Sequence, residues 1–407
     1  MRSDISINKS VKYIDLEDQY GAHNYHSLPV VINKGEGIYL WDVNDKKYFD
    51  FLSGYSAVNQ GHCHPEIIRA LTQQAKNLTL TSRAFYNDQL GKYEKFITQL
   101  FGFDKVLPMN TGVEAVETGI KLCRRWGYEV KKIQENAAKI IVCNNNFHGR
   151  TSTVISFSSD PSARKAFGPF MEGFINIPYN DLPALEEALK DPTVAGFLVE
   201  PIQGEAGVIL PEDGYLARAK QYCEDANVLF IADEIQTGLG RTGRMLACDH
   251  ENVKPDILLL GKALSGGTLP VSAVLADNEI MMLIKPGEHG STFGGNPLAC
   301  AVAMASLKVI IDENLCDNAI KMGTLLMSEL KKIGNHKIKE VRGKGLFLAI
   351  ELTDIGEQSG WDICIKLMEN GLLAKPTHGN KIRLAPPLTI TQKQLLQAVK
   401  IITNTIG

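Results

Sequence analysis

The stretch PDILLLGKALSGG (residues 255–267) joins an unbroken apolar run to a lysine. The four aliphatic residues at 257–260 are typical of a strand that is covered on both faces, as in a parallel sheet. Lysine is rarely buried without a partner, yet Lys262 follows this run after a single glycine. The sequence therefore places an ammonium group at the end of a core strand, with small residues after it.

Short apolar runs alternate with helical patterns from about residue 60 to residue 295. The predicted strands span residues 139–144, 195–201, 227–234, 256–262 and 270–276, and the predicted helices span residues 65–77, 88–101, 113–127, 181–190 and 213–226. This alternation predicts an α/β fold with a mostly parallel sheet between layers of helices. Ligands bind beyond the carboxyl ends of the strands in such sheets, so polar residues at strand ends are the candidate site residues.

The remaining residues predict a smaller α/β unit. Asn296 and Pro297 are residue types that begin a helix, and further helices and strands follow, whereas residues 1–55 include a predicted hairpin. We expect a large domain of residues 56–295 and a small domain formed by residues 1–55 together with residues 296–407. No linker rich in Pro, Gly or Ser separates them, so we expect the two domains to be joined rigidly.

The composition argues against several classes of protein. A formal net charge of −3 over 407 residues does not show the excess of basic residues that is typical of nucleic-acid-binding proteins. No stretch approaches the ~20 apolar residues of a membrane span, and the eight cysteines form no CxxC pair, so we expect no membrane association, no zinc site and no disulfide framework. The cluster His62-Cys63-His64 is interpreted as a turn before a helix that Pro65 opens.

The first 20 residues include acidic side chains and contain no long apolar segment. Such a composition is not typical of a secretory signal or of an Arg-rich, acid-poor transit peptide. We therefore expect a cytoplasmic protein.

Two polar residues end consecutive strands of the predicted sheet. Asp233 closes the run VLFIA, and Lys262 follows 29 residues later. One interpretation is a buried ion pair, which would carry a large desolvation cost. The other is a bound pyridoxal phosphate (PLP), because a lysine can form a Schiff base with its aldehyde and a carboxylate can keep its ring nitrogen protonated.

Two segments could bind the phosphate of such a cofactor. The stretch NTGVEAVETGIKLCRRW (110–126) predicts a helix whose N-terminal N–H groups and dipole favour an anion, although alone it could be an ordinary helix cap. The stretch GEHGSTFGGNP (287–297) places Ser291 and Thr292 among glycines. This second segment suits either a phosphate contact or a plain turn.

A third segment, NNNFHGRT (144–151), follows another predicted strand. Phe147 and His148 offer flat groups that could stack on a cofactor ring, and Arg150 suits a carboxylate. A packed aromatic residue and a surface arginine are equally good interpretations of these residues when the segment is considered alone.

The stretch GLGRTG (238–243) matches the GxGxxG fingerprint of dinucleotide-binding proteins and follows a predicted strand. The segment after it lacks a clear helical pattern, and no acidic residue ends a strand about 20 residues further on. The sequence therefore disfavours a nucleotide-dependent oxidoreductase, which remains the alternative from a different class of enzyme.

Taken together, these motifs resemble the class III PLP-dependent aminotransferases. The resemblance runs from about residue 15 to the C terminus and rests on NTGVEAVETGIKLCRRW, NNNFHGRT, VEPIQGEAGV, LFIADEIQTGLGRTG, LLLGKALSGG and HGSTFGGNPLA. It implies the PLP-dependent transferase fold type I, with a seven-stranded, mostly parallel sheet in the large domain. It also implies a homodimer, or a larger assembly, with active sites at the subunit interface.

The resemblance assigns the chemistry on PLP to two residues. Lys262 would form the Schiff base and carry protons, and Asp233 would pair with the ring nitrogen. Phe147 and His148 would contact the ring, and Gln236 would bind its phenolic oxygen. The phosphate would be bound by Gly112, Val113, Ser291 and Thr292. The last two would serve the partner subunit's site, so the active site would be complete only in the dimer.

The resemblance also assigns the substrate contacts, and SGYSAVNQGHCHP, GAHNYHSLPVV and IRLAPPL are most similar to members that act on L-ornithine. Tyr25 and Arg150 would bind the α-carboxylate of ornithine, and Tyr55 would line the pocket. Glu205 would neutralise Arg383 while ornithine is bound and release it for the α-carboxylate of 2-oxoglutarate.

The implied activity is transfer of the δ-amino group of ornithine to 2-oxoglutarate, which gives glutamate-5-semialdehyde and glutamate. The alternatives within the class are acetylornithine, 4-aminobutyrate or another ω-amino acid as the donor. A PLP racemase or decarboxylase is an alternative reaction type.

Overall fold

A computed structural model describes residues 9–334, 336–353 and 360–407. The strands are β1 (Ile32–Glu36), β2 (Tyr39–Asp42), β3 (Lys47–Asp50), β4 (Lys105–Met109), β5 (Lys139–Cys143), β6 (Phe174–Ile177), β7 (Val194–Val199), β8 (Leu229–Asp233), β9 (Ile257–Leu260), β10 (Ser272–Ala276), β11 (Ile338–Lys344), β12 (Phe347–Leu352), β13 (Leu372–Leu373), β14 (Lys375–Thr377) and β15 (Lys381–Leu384).

The helices are α1 (Lys9–Tyr20), α2 (Ser53–Ser56), α3 (Pro65–Asn77), α4 (Leu90–Phe101), α5 (Gly112–Glu129), α6 (Ser152–Ser156), α7 (Pro161–Arg164), α8 (Leu182–Leu189), α9 (Tyr215–Asp225), α10 (Asn278–Met281), α11 (Pro297–Asp312), α12 (Leu315–Lys332), α13 (Gly360–Glu369) and α14 (Gln392–Ile406). Two short 3₁₀ turns, Ala247–Glu251 and Lys262–Ser265, add to them.

A seven-stranded sheet forms the centre of the fold, in the order β4-β10-β9-β8-β7-β5-β6. Neighbouring strands are parallel except for β10, which is antiparallel to both β4 and β9. The predicted α/β class and the mostly parallel sheet are confirmed. The five strands predicted in this region are present, and their ends lie within two residues of the predicted bounds.

The apolar run that suggested a doubly covered strand is buried on both faces. Leu258 and Leu260 belong to one hydrophobic core, whereas Ile257 and Leu259 belong to the other core, on the opposite face of the sheet. Successive side chains of a strand point to opposite faces, so a strand between two cores must be apolar at every position. Its end is therefore one of the few places where a polar group can emerge.

Two smaller sheets lie outside the central one, in the orders β1-β2-β3-β13 and β11-β12-β15-β14. The short strand β13 is parallel to β3, with Leu372 opposite Phe49. This pairing joins the N-terminal segment to the C-terminal part of the chain, and the predicted division into two domains stays a prediction. The predicted cap of α11 is present, because Asn296 Oδ1 accepts a hydrogen bond from the Ala299 N–H at 2.8 Å.

The histidine–cysteine cluster before α3 holds two histidines that are hydrogen-bonded to carboxylates. His62 contacts Asp50 at 2.6 Å and His64 contacts Glu313 at 2.9 Å, while Cys63 is exposed. Within the described ranges, no group of three or more His, Cys, Asp or Glu side chains is arranged to hold a metal ion. None of the helices described has the length and apolar character of a membrane span.

Candidate active site

The lysine that follows β9 lines a cavity of about 190 Å³ at the carboxyl edge of the central sheet. Lys262 begins a short turn and has a left-handed φ of 43°, which is uncommon for a residue with a side chain. Burial lowers the pKa of Lys262 below its ordinary value, although the Glu205 carboxylate opposes this effect. A lysine with a lowered pKa is a better nucleophile and base near neutral pH.

Seven of the nine predicted cofactor residues line this one cavity. They are Gly112, Val113, Phe147, His148, Asp233, Gln236 and Lys262. They come from four separate segments of the chain, which the carboxyl ends of β5, β8 and β9 and the start of α5 bring to one edge of the sheet.

Asp233, the last residue of β8, is buried and accepts a hydrogen bond of 2.7 Å from His148 Nδ1. Burial alone would lower the pKa of His148, but the hydrogen bond and charge of Asp233 raise it. No ion pair between Asp233 and Lys262 is found in the described residues, so the interpretation as a simple buried Asp–Lys pair is wrong. Both side chains instead face a shared cavity.

The start of α5 has the features predicted for an anion site. Thr111 caps this helix, and a capping box joins Thr111 to Glu114. The first N–H groups of a helix have no partner within it, and those of Gly112 and Val113 lie in the first turn. Gly149 closes the site from the other side, because a Cβ on it would lie 2.3 Å from Val113 Cγ2.

A second group of predicted residues forms a charged pair beside the cavity. Arg383 on β15 donates a hydrogen bond of 2.5 Å to Glu205 Oε1, and its guanidinium lies 5.2 Å from the Tyr55 ring. Burial alone would raise the pKa of Glu205, but Arg383 and Lys262 together lower it. Gln236 Nε2 lies 3.3 Å from both Glu205 Oε1 and the Tyr55 carbonyl oxygen. The described chain thus links four predicted residues in one network.

The two remaining predicted substrate residues, Arg150 and Tyr25, are exposed. Arg150 is exposed, 5.5 Å from the Phe147 ring, and lines a neighbouring cavity of about 140 Å³ together with Glu205. Tyr25 is also exposed, with Lys375 Nζ 5.6 Å from its ring. The structure thus places Arg150 next to the Glu205 pair and leaves Tyr25 at the surface.

Ser291 and Thr292 are not among the lining residues of the cavity that contains Lys262. Ser291 Oγ instead accepts a hydrogen bond of 2.7 Å from Asn110 Nδ2, just before the start of α5. Their predicted role concerns the partner subunit's cofactor, and it stays a prediction.

One ionisable residue of the cavity is not among the predicted site residues. Glu200 is buried and lines it, and its carboxylate accepts hydrogen bonds from the N–H groups of Phe147 and Gly204 at 3.0 and 3.4 Å. Burial raises its pKa to about 7. Glu200 directly follows β7, as Asp233 ends β8, so the rule that polar residues at strand ends are candidates would have found it.

The comparison with protein families decides which class of protein has this site. The model of the family Aminotransferase class-III matches residues 20–406. The chain is a class III aminotransferase. This result confirms the resemblance seen in the motifs and the predicted fold class.

Three similar proteins show how far the aminotransferase resembles known members. The mitochondrial ornithine aminotransferase of Rattus norvegicus is 61% identical over 98% of this chain and 91% of its own length. A structure of ornithine aminotransferase from Toxoplasma gondii, with partial occupancy of PLP at the active site, is 51% identical with a TM-score of 0.96, covering 98% and 94% of the two chains. An acetylornithine aminotransferase from Elizabethkingia anophelis is 59% identical with a TM-score of 0.89, covering 98% of both chains.

The cavity of the aminotransferase fits PLP. It has an amine at the end of β9, a buried carboxylate at the end of β8 and a helix N-terminus that suits a phosphate. His148 Nε2 is buried and has no hydrogen-bond partner in the described part of the chain. A buried polar atom without a hydrogen-bond partner destabilises the fold, and a polar aromatic cofactor in this cavity would contact His148.

Proposed function

We propose that this aminotransferase transfers the δ-amino group of L-ornithine to 2-oxoglutarate and so forms glutamate-5-semialdehyde and glutamate. The observation that carries this proposal is the pairing of the buried Arg383 with the partly exposed Glu205 beside Lys262. A donor with one carboxylate and an acceptor with two must use the same cavity in turn. An arginine with a displaceable carboxylate partner can serve both substrates.

Lys262, Asp233 and the first turn of α5 would hold PLP. When bound, PLP supplies an aldehyde for the amine and a ring that accepts electrons from the carbon bearing that amine. Asp233 is fixed by His148 Nδ1 at 2.7 Å, so it presents its carboxylate in a defined orientation. Phe147 and Gln236 line the same cavity and would set the plane of the ring.

During the ornithine half-reaction, Glu205 neutralises Arg383. The α-carboxylate of ornithine is then left to Arg150 at the rim, and the δ-amine enters toward Lys262. Lys262, whose pKa burial lowers, holds the proton that leaves the δ-carbon of ornithine and later delivers it. The position of the charged groups, rather than the shape of an apolar pocket, selects the δ-amine.

In the second half-reaction, the α-carboxylate of 2-oxoglutarate competes with Glu205 for Arg383. A guanidinium can bind a carboxylate through two parallel hydrogen bonds, so displacement of Glu205 exchanges one carboxylate for another at little cost. Arg150 binds the second carboxylate of the acceptor. Lys262 then moves a proton in the opposite direction, toward the α-carbon of the nascent glutamate.

A second candidate donor is N-acetylornithine, because the Elizabethkingia anophelis relative is named for it. The decisive experiment compares kcat/KM for ornithine, N-acetylornithine and 4-aminobutyrate, with 2-oxoglutarate as acceptor. We expect ornithine to exceed the other two by at least about tenfold, a difference of ~1.4 kcal/mol in transition-state binding. A higher value for N-acetylornithine would replace the proposed function with the second candidate, and Lys262→Ala should be inactive with every donor.

We also propose that the enzyme is a homodimer in which Thr292 completes the partner subunit's phosphate site. In support, Ser291 contacts Asn110 rather than the cavity of its own chain. Phe85, Tyr86 and Phe293 are exposed, and aromatic surfaces of this kind mark interaction sites.

Co-expression of Lys262→Ala and Thr292→Ala chains tests the dimer. A hybrid dimer contains one site with both residues intact, so activity should return although each variant alone is impaired. Light scattering that shows a monomer, or hybrids with no recovered activity, would contradict the proposal.

For the location we propose the cytoplasm. The test is fractionation of source cells followed by an activity assay of each fraction. Activity confined to an organelle fraction would overturn this assignment.

A further inference from the structure

The loop that carries Glu205, residues 204–208, is held firmly at both of its ends. A Cβ on Gly204 would lie 1.7 Å from Gln236 Oε1, so the side chain of Gln236 rests directly on this backbone. At the other end, Arg342 donates hydrogen bonds to the carbonyl oxygens of Gly207 and Val208, at 2.8 and 3.1 Å. These contacts hold the two ends of the Glu205 loop but do not involve Glu205 itself.

The centre of the Glu205 loop is held by a threonine from the small β14–β15 hairpin. Thr377 Oγ1 donates a hydrogen bond of 2.5 Å to the Glu205 carbonyl oxygen. In this hairpin Thr377 lies opposite Lys381, and Lys375 lies opposite Arg383. Residues two apart on one strand, and residues directly opposite across strands, share a face.

Thr377 and Arg383 therefore project from the same face of one hairpin. One of them bonds the backbone of Glu205 and the other bonds its carboxylate. The carboxylate can rotate away from Arg383 while the hydroxyl keeps the backbone in place. The contact with Thr377 thus fixes the backbone of Glu205, whereas the contact with Arg383 can be broken when the carboxylate moves.

We propose that Thr377 is a positioning residue that returns the Glu205 carboxylate to Arg383 whenever no second substrate carboxylate is present. Thr377 acts through Glu205 and is not placed in contact with substrate. The inference rests on the proposed function, because an enzyme needs a reversible pair of this kind only if it alternates between donors with one carboxylate and acceptors with two.

The consequence concerns the orientation of ornithine. If the backbone of Glu205 is free to shift, the carboxylate meets Arg383 less often and the arginine is left with an uncompensated charge. That charge attracts the α-carboxylate of ornithine, which then binds with its δ-amine directed away from Lys262. Substrates with two carboxylates should bind more tightly after the same change, because they no longer need to displace Glu205 from Arg383.

The substitution Thr377→Val tests this, because valine keeps the shape of threonine and lacks the hydroxyl. In single-turnover measurements on the holoenzyme, we expect kcat/KM for ornithine to fall about fivefold, the ratio that one lost hydrogen bond produces. The value for 2-oxoglutarate should not fall. Binding of glutarate, which has two carboxylates and no reactive group, should tighten about fivefold in a thermal-shift titration.

Two further variants separate positioning from general stability. Thr377→Ser retains the hydroxyl and should behave like the wild type in both half-reactions. Thr353→Val removes a comparable hydrogen bond, from Thr353 Oγ1 to the His336 carbonyl oxygen at 2.9 Å, and should leave the ratio of the two half-reactions unchanged.

The proposal is overturned if Thr377→Val slows both half-reactions equally, or if it alters neither the half-reactions nor glutarate affinity. A failure of the proposed function is distinguishable, because the wild type itself would then not react with ornithine. The glutarate titration still reports the effect of Thr377 on Arg383 in that case.

Discussion

Two buried arginines of this molecule have opposite kinds of partner. Arg383 is bonded to the carboxylate of Glu205, which can be replaced by the carboxylate of a substrate. Arg241 is fully buried and has neutral acceptors, namely the carbonyl oxygens of Leu346 and Pro386 at 2.9 and 2.7 Å and Asn59 Oδ1 at 2.5 Å. No carboxylate forms an ion pair with Arg241 in the described residues.

The difference separates an exchangeable contact from a permanent one. Burial lowers the pKa of Arg241 to about 9, and the backbone groups around it cannot leave as a side chain can. Its acceptors come from the segment between α2 and α3 and from the residues that flank β12 and β15, so Arg241 ties three segments together. Arg383 lies on β15 itself, and the fixed arginine thus supports the strand that carries the exchangeable one.

The substitution Arg241→Ala should have the largest effect on stability. It leaves several buried acceptors without a donor, each of which costs about 1–3 kcal/mol, so we expect a loss of about 4 kcal/mol in the free energy of unfolding. Denaturant unfolding of the holoenzyme measures this loss. The exposed Arg218→Ala is the matched control and should change stability by less than about 0.5 kcal/mol. A loss of less than about 1 kcal/mol for Arg241→Ala would show that its contacts are dispensable.

The substitution Arg383→Ala should instead affect the acceptor half-reaction. Charge-assisted hydrogen bonds contribute about 1.5–3 kcal/mol each, so we expect kcat/KM for 2-oxoglutarate to fall about 100-fold. The single variant leaves Glu205 unpaired, and the double variant with Glu205→Ala therefore serves as its control. An equal loss for ornithine and 2-oxoglutarate in the double variant would mean that Arg383, like Arg241, is structural.

The contrast also shows how far sequence reasoning extends. Lys262 and Asp233 could be predicted because each lies at the end of an apolar run, and the same rule applies to Glu200, which directly follows β7. The role of Arg241 could not be predicted from its GLGRTG motif. Its acceptors lie at Leu346 and Pro386, more than 100 residues further along the chain, and no local pattern encodes such contacts.

The two strands missed in the central sheet are its edge strands, β4 and β6. β4 contains Pro108 and begins with an exposed lysine, and β6 is only partly buried, so neither shows the continuous apolar pattern of an inner strand. The short element α2 (Ser53–Ser56) could not be predicted from the sequence either. All four of its residues have left-handed φ angles, a conformation that only tertiary contacts can impose on Tyr55.

Substitution of Glu205, the carboxylate partner of Arg383, should have a smaller effect on kcat/KM, and only for ornithine. Glu205→Gln keeps a hydrogen bond to Arg383 but no longer neutralises its charge, and neutral hydrogen bonds are about half as strong as charge-assisted ones. We expect kcat/KM for ornithine to fall about tenfold, or ~1.4 kcal/mol, with no loss for 2-oxoglutarate. Measuring each half-reaction separately tests this. If 2-oxoglutarate also reacts more slowly, Glu205 has a function beyond neutralising Arg383.

The two carboxylates that follow β7 repeat the contrast between the arginines. Glu205 has a charged partner, which lowers its pKa despite burial, whereas Glu200 is bonded to backbone N–H groups and burial raises its pKa from 4.5 to about 7. Between those two pH values the folded protein binds a proton that the unfolded chain has released. Through Glu200, the free energy of unfolding therefore falls as pH rises, by at most about 1.4 kcal/mol per pH unit.

Glu200→Gln should flatten this dependence between pH 5 and pH 7. The pKa of His148 is also raised, so His148 likewise makes the free energy of unfolding fall as pH rises above the ordinary pKa of histidine. That fall should persist in the variant. Unfolding of the holoenzyme at a series of pH values measures both slopes, with the exposed Glu172→Gln as control. A variant that retains the full slope of the wild type would mean that Glu200 is already ionised at pH 5, and that fixed backbone donors can hold a buried charge as effectively as an arginine does.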